Sequence, residues 1–567
     1  MLGLLGRGDL LNTRLLYSYL FFVFITGAAQ IYLSFFHYSN FEALKDIAAI
    51  SLLWTMPVII FPNKAKKITL YMGILFVLLA LPSVFYAIIY KQELTQSLFF
   101  IIFESNIAES KEYLQNYFSL SVFVLIIVYL IACFYFWKGV KNFDISNKRK
   151  LILAAIILAL VFTAPTKRWV KRGSFDAFTA NVHRHMSVAS PYQLIGAYID
   201  YQREIEVVEK NLNELNQNQT VSGLIVDEVK TPATHVVVIG ESTSRLHMSL
   251  YGYKRKTNPK LESIKSELEV FTNVFSSRPN TIESLEQVLT FADQSNPDLY
   301  KTQPSLMSIL KQAGYKLYWI SNQQTLTTRN TMLTSFAKQT DEQFFLNNAR
   351  SQNSYSFDEK VFKPYQELLS KQDEKKIIFV HLIGTHMSYK YRYPEAFKNF
   401  NDDSSLDNKI PKDKVERINH YDNAVLYNDY VVYELIDMLK SAKIENSSLV
   451  YFSDHGEEVY DVGDHQFQGR NEATPTLGMY AIPFLFWVGD NEKLKSKFNN
   501  PSMFIRQYNN SDFIYSYTDF LDIRYDKFLS HESLFSDNFL QDSIIVGDPY
   551  SKKLEKLDGT DQTFNKH

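Results

Sequence analysis

Apolar and charged positions divide this chain at about residue 166. Before that point LLYSYLFFVFITGAAQIYLSFF (15–36), TLYMGILFVLLALPSVFYAIIY (69–90) and FSLSVFVLIIVYLIACFYFW (118–137) carry no Asp, Glu, Lys or Arg. Each is about the 20 residues a helix needs to cross a bilayer. Two shorter runs, IAAISLLWTMPVIIFP (47–62) and LILAAIILALVFTAPT (151–166), read as two further spans. The pattern therefore predicts five.

Beyond residue 231 the pattern changes to short apolar or β-branched runs alternating with segments of helical spacing, the sign of an α/β domain with a mostly parallel sheet. HVVVIGES (235–242), KLYWISN (316–322), KIIFVHLIGTH (376–386), SLVYFSDH (448–455) and IPFLFWV (482–488) are the expected central strands. SLMSILKQAG (305–314) and YNDYVVYELIDMLKSA (427–442) are expected helices. Between the two halves, KRWVKR (167–172) suits a basic interfacial anchor, and YQREIEVVEKNLNELNQNQ (201–219) a polar helix. The expected organisation is a transmembrane domain over 1–168, a connector over 169–230 and an α/β domain over 231–567.

Charge changes the picture by orienting the spans. Arg7, Arg14, Lys64, Lys66, Lys67, Lys138, Lys141, Lys148, Arg149 and Lys150 lie at one set of span ends, which are cytoplasmic by the positive-inside rule. The opposite loop carries Glu93, Glu104 and Glu109 against Lys91 and Lys111. Five spans then deliver everything after Thr166 to the outer side, the periplasm of a Gram-negative cell. Overall the chain is nearly neutral, with 59 basic and 61 acidic residues, and offers no argument for a nucleic-acid partner. The only cysteine, Cys133, lies in a predicted span, which excludes a thiol nucleophile or thiolate metal site from the exported part.

Candidate chemistry falls at strand ends. Glu241 follows the first expected strand, His386 the third, and Asp454 with His455 the fourth, where open α/β sheets bind ligands. An acid-rich loop such as YFSDHGEEVYDVGDH (451–465) is ordinarily just solvated. Three strand tips with ligand-type side chains add a second reading that stays open beside the first, zinc or manganese on Glu241, Asp454 and His455. The nucleophile must then be an oxygen. In FSSRPNTIESLEQVLTF (275–291), Asn280 and Glu283 resemble a capping box, which places Thr281 in the first turn of a helix, either as an ordinary helix residue or as a hydroxyl where anions are favoured.

GESTSRLHMSLYGY (240–253), SSRPNTIESL (276–285), HLIGTHMSYKYRYP (381–394), YDNAVLYND (421–429) and SDHGEE (453–458) occur in that order. With five N-terminal spans they resemble the membrane-bound phosphoethanolamine transferases of the alkaline phosphatase and sulfatase superfamily, along nearly the whole chain. The resemblance implies zinc on Glu241, Thr281, Asp454 and His455, with Thr281 as the nucleophile that carries phosphoethanolamine. It implies that His386 and His465 contact the transferred phosphate or a second metal and serve as catalytic proton carriers. It makes Glu109, in ESNIAE (104–109), the counterpart of a substrate-handling residue. It further implies phosphatidylethanolamine as donor and a lipopolysaccharide core heptose as acceptor, with lipid A, periplasmic glucan or a glycerol-phosphate transfer as alternatives. Two departures stand out. Many relatives carry disulfides in this domain, and this chain has none; where some relatives place a lysine near the phosphate, QQTLTTRN (323–330) offers Arg329.

Overall fold

The computed structural model describes residues 7–36, 42–90, 94, 120–172, 175–186, 188–199, 202, 220–227, 232–324, 331–347, 356–371, 375–406, 410–463, 465–472, 474–540, 543–550, 554–557 and 564–566. Glu109, Arg329 and nearly all of 201–219 lie outside the described residues. The chain divides into two compact units, with the apolar helices in one and Glu204–His567 in the other.

In the first unit, α1 (Arg7–Phe35), α2 (Glu42–Ile60), α3 (Ala65–Tyr90) and α4 (Leu120–Gly139) are each long and apolar enough to cross a membrane. The fifth, α5 (Asn147–Arg172), bends by 49° between Asn147–Thr163 and Pro165–Lys171, and makes a fifth span when that pair is taken as one. Pro165 accounts for the bend, because its ring removes an N–H and clashes with the preceding turn. Helix contacts use small groups. Thr26 Oγ1 lies 3.1 Å from Ser51 Oγ, and a Cβ at Gly27 would stand 2.9 Å from Ile47. At one end, Arg14 donates to the Asn142 carbonyl, Lys66 N to Asn142 Oδ1 and Trp137 Nε1 to the Lys66 carbonyl. These ties join segments that the basic residues assign to one membrane face.

The second unit is built on a seven-stranded sheet: β1 (Ala233–Gly240), β2 (Leu268–Phe271), β3 (Lys316–Gln324), β4 (Glu342–Asn347), β5 (Lys375–His381), β6 (Asn446–Ser453) and β7 (Phe484–Val488). The order is β2-β7-β6-β1-β5-β3-β4. β7 alone runs against the direction of the other six strands, so the mostly parallel expectation holds. Alternate residues face opposite cores. Val237, Ile239, Phe379, Trp319 and Phe452 pack on one side, and Val236, Val238, Ile378, Tyr318 and Tyr451 on the other. Burial on both faces explains why these strands read as continuous apolar runs.

Two helices matter for the site. The first, α6 (Thr281–Val288), buries Ile282, Leu285 and Val288. The second, α7 (Lys412–Ser441), extends well upstream of the expected 427–442 segment. That upstream part buries Tyr421 and Asp422, whose polar side chains obscured the helical period.

Candidate active site and metal centre

Sheet register brings the chemistry together. Gly240 pairs with Ser453 and Ile239 with His381, so β1, β5 and β6 end side by side. The backbone continues this alignment, with Asp454 N donating to the Gly240 carbonyl and Leu382 N to the Ile239 carbonyl. The loop after β5 folds back onto Glu241, where Thr385 donates both N–H and Oγ1 to the Glu241 carbonyl. Gly384 makes that approach possible. It has φ +50°, and a Cβ there would lie 2.8 Å from the Glu241 carbonyl oxygen. Ser242 itself adopts φ 57°, a sparsely populated conformation for a non-glycine residue. It donates its Oγ to Glu241 Oε1 and its N–H to Asp454 Oδ1.

Four expected residues converge. His455 Nε2 lies 3.3 Å from Glu241 Oε1 and 3.4 Å from Asp454 Oδ2. Thr281 Oγ1 donates to Glu241 Oε2 at 2.9 Å and lies 3.3 Å from His455 Nε2. Ligand atoms around a tetrahedral zinc with ~2.0–2.1 Å bonds stand roughly 3.3 Å apart, which is the spacing found here. The ligand atoms of Glu241, Asp454 and His455 all lie within 4.8 Å of one another, and all three residues are buried. His455 Nδ1 meets the Gly456 carbonyl at 2.8 Å, which fixes the ring and turns the Nε2 lone pair inward. Asp454 Oδ2 is buried with no hydrogen-bond partner, a costly state unless a cation is bound there. The donor set fits zinc.

Charge follows position. Burial would raise Glu241, but the His455 hydrogen bond and the fields of His386, His455 and Arg470 hold it well below the usual carboxylate range. Burial and then Glu241 push Asp454 well above its usual range, while burial and Arg470 lower His455 and keep it neutral.

Thr281 is the first residue of α6, as expected, but the capping box does not form. Asn280 makes no side-chain cap bond. Glu283 is buried, with neither carboxylate oxygen hydrogen-bonded, and lies in the field of Arg278. The helix is held from another direction, by Ser284 Oγ donating to the Asp454 carbonyl, which also accepts from Asn510 Nδ2. His386 is buried in the loop after β5. His465, at φ 49°, turns Nδ1 toward the Tyr460 carbonyl and lines a cavity with Tyr460, Asp461 and His247. It is not among the residues whose ligand atoms converge.

Several contributors were given no role by the sequence reading. Gln323 donates to Glu241 Oε2, and Tyr421 bridges the Ser242 carbonyl and Ser244 N–H. Arg470 Nη1 lies 2.8 Å from His455 Nε2. The acids after the metal motif also find partners: Glu457 with Arg470 and Tyr389, Glu458 with the backbone of Asp461 and Val462, Asp461 with His247.

That last pair gives a pH dependence. His247 sits 2.7 Å from Asp422 and 3.2 Å from Asp461. Burial lowers its pKa, but the two carboxylates outweigh burial and raise it to about 10. The folded state then binds a proton that the unfolded state, at about 6.5, has released. The stabilisation is complete below about pH 6.5 and is lost as pH rises through 10. Urea midpoints of the parent and His247→Asn chains should differ most near pH 6 and draw together toward pH 10.

A buried carboxylate and imidazole centre with a hydroxyl at a helix N-terminus, on a mostly parallel α/β sheet, defines a metal-dependent group-transfer enzyme. Residues 233–523 match the sulfatase family. Phosphoethanolamine transferase EptC of Escherichia coli (strain K12) is 40% identical over 94% of this chain and 94% of its own. The crystal structure of the C-terminal periplasmic domain of Escherichia coli EptC, in complex with zinc, is 45% identical. It has a TM-score of 0.58 and covers 61% of this chain and 99% of that one. The integral membrane lipooligosaccharide phosphoethanolamine transferase A of Neisseria meningitidis shares the fold at 19% identity, with a TM-score of 0.57 over 93% of this chain and 98% of that one. The chain belongs to the phosphoethanolamine transferases of the sulfatase family. It is a multi-pass inner-membrane enzyme with its catalytic domain in the periplasm.

Proposed function

We propose that this enzyme moves phosphoethanolamine from phosphatidylethanolamine to a lipopolysaccharide core heptose by way of Thr281. The observation that carries the reading is the Thr281 hydroxyl, poised between Glu241 and His455 at the start of α6. In the first half-reaction Thr281 Oγ1 attacks phosphorus, the bond to the diacylglycerol oxygen breaks, and diacylglycerol leaves with a proton. In the second, an acceptor oxygen attacks the same phosphorus, the Thr281 ester breaks, and the hydroxyl regains its proton. His386 and His465 are assigned to exchange these protons and to contact the phosphate. Glu109 and Arg329 are assigned to substrate handling.

Glu241, Asp454, His455 and Thr281 would hold zinc. When bound, zinc supplies a Lewis acid that lowers hydroxyl pKa and neutralises phosphoryl charge. Both substrates are amphiphiles, so tethering the catalytic domain at the bilayer raises their effective concentration.

The test is the mass of lipopolysaccharide from a deletion strain. The core should lack one phosphoethanolamine, restored by the parental gene and not by Thr281→Ala. An unchanged core with a lighter lipid A would move the acceptor there.

A further inference from the structure

We infer that Arg470 is a further catalytic residue, whose guanidinium grips the nonbridging oxygens of the phosphate during transfer through Thr281. The inference rests on the phosphoethanolamine-transfer reading. Arg470 Nη1 approaches His455 Nε2 at 2.8 Å, the nitrogen that Thr281 Oγ1 meets at 3.3 Å. Guanidinium and nucleophile thus flank one atom. Arg470 Nη1 also lies 3.4 Å from the carbonyl of Pro279, two residues before the nucleophile.

The side chain is placed by its own support. Arg470 Nε lies 3.4 Å from Oε2 of Glu457, which is fully buried and accepts from Tyr389 OH through Oε1. Tyr389 OH in turn accepts from Gln468 Nε2, and Arg417 donates to Gln468 Oε1. A chain of buried and part-buried polar contacts therefore aims a cation into the cluster of candidate metal ligands.

A guanidinium has no lone pair to give a metal, since it stays protonated at all working pH. His455 Nε2, which it meets, is a nitrogen that would hold zinc, and the guanidinium would give up that contact to the ion. The anion that visits this centre is the phosphodiester. Two nonbridging oxygens match the guanidinium fork, and their charge grows in the transition state. No bond to Arg470 forms or breaks. Phosphorus passes from the diacylglycerol oxygen to Thr281 Oγ1 and then to the acceptor oxygen, with Arg470 holding the oxygens that do not move.

The test uses the full chain in detergent with phosphatidylethanolamine micelles, comparing the parent, R470A and R470K. Three quantities are read: zinc content, the melting temperature with and without free phosphoethanolamine, and the rate at which the Thr281 adduct accumulates by intact mass. R470A should keep parental zinc, lose the rise in melting temperature on adding phosphoethanolamine, and form adduct about 100-fold more slowly or worse. R470K, which keeps the charge but not the fork, should fall between, and it decides the matter by the same readouts if R470A does not fold. Loss of zinc in the variants, an undiminished rise with phosphoethanolamine, or a parental adduct rate would overturn the assignment. A parent that forms no adduct would remove the transfer reading itself.

Discussion

The Thr281→Ala chain is expected to fold but to transfer no phosphoethanolamine even with zinc in excess, with turnover down by about 10⁴-fold or more. The side chain makes two polar contacts, to Glu241 and His455, and both lie inside the site. What holds α6 in place is elsewhere: Ile282, Leu285 and Val288 in the core, and Ser284 on the Asp454 carbonyl. Alanine is also the best helix former, so the first turn is not weakened. Loss of activity can therefore be assigned to the missing oxygen. Intact mass of the parent trapped with phosphatidylethanolamine should show one phosphoethanolamine on Thr281, absent from the variant. Thr281→Ser should retain part of the activity. Its hydroxyl is present, but without the γ-methyl its χ1 rotamer is less restricted. Transfer by Thr281→Ala above about one per cent of the parent, against the loss expected for a nucleophile, would place the attacking oxygen on another residue.

The elements that were legible in the sequence are those buried on two faces. HVVVIG and SLVYFS read as strands because both sides of β1 and β6 meet apolar cores, leaving no polar alternation to dilute the signal. The two strands the sequence pattern does not predict, β2 and β4, form the edges of the sheet. There LEVF is four residues long, and EQFFLN is half-exposed along most of its length. Glu241, Asp454 and His455 were legible for a related reason: they directly follow readable strands whose ends the register aligns. Arg470 was not, because it reaches His455 through a loop with no period, whose path depends on Glu457, Tyr389 and Gln468. Asn280 and Glu283 marked the right helix for the wrong reason. Sequence spacing suggested a local cap, while the packed site buries Glu283 beside Arg278 and leaves Asn280 without a cap bond.

Removing either buried carboxylate should abolish zinc binding with opposite effects on the metal-free fold. Glu241 is fully engaged, with Ser242 donating to Oε1 and Gln323 and Thr281 donating to Oε2. In Glu241→Gln the amide can offer an acceptor to only one of these sets. A donor then faces a donor, and the metal-free chain should lose stability by about 1–3 kcal/mol. Asp454 differs. Its Oδ1 accepts from the N–H groups of Ser242 and His455, a role the Asn carbonyl can keep, while Oδ2 has no hydrogen-bond partner. Asp454→Asn also removes one of two neighbouring buried carboxyl groups. The metal-free variant should therefore melt at or above the metal-free parent. Zinc at 100 times its dissociation constant should stabilise the parent by about 2.7 kcal/mol and leave both variants unmoved. Loss of an outer-sphere partner already costs about 10–100-fold in metal affinity, so loss of a direct ligand should exceed that. Calorimetric scans of parent, Glu241→Gln and Asp454→Asn, with and without zinc, separate the two contributions. A zinc-dependent rise surviving in Asp454→Asn would show that the unpartnered oxygen is not where the metal binds.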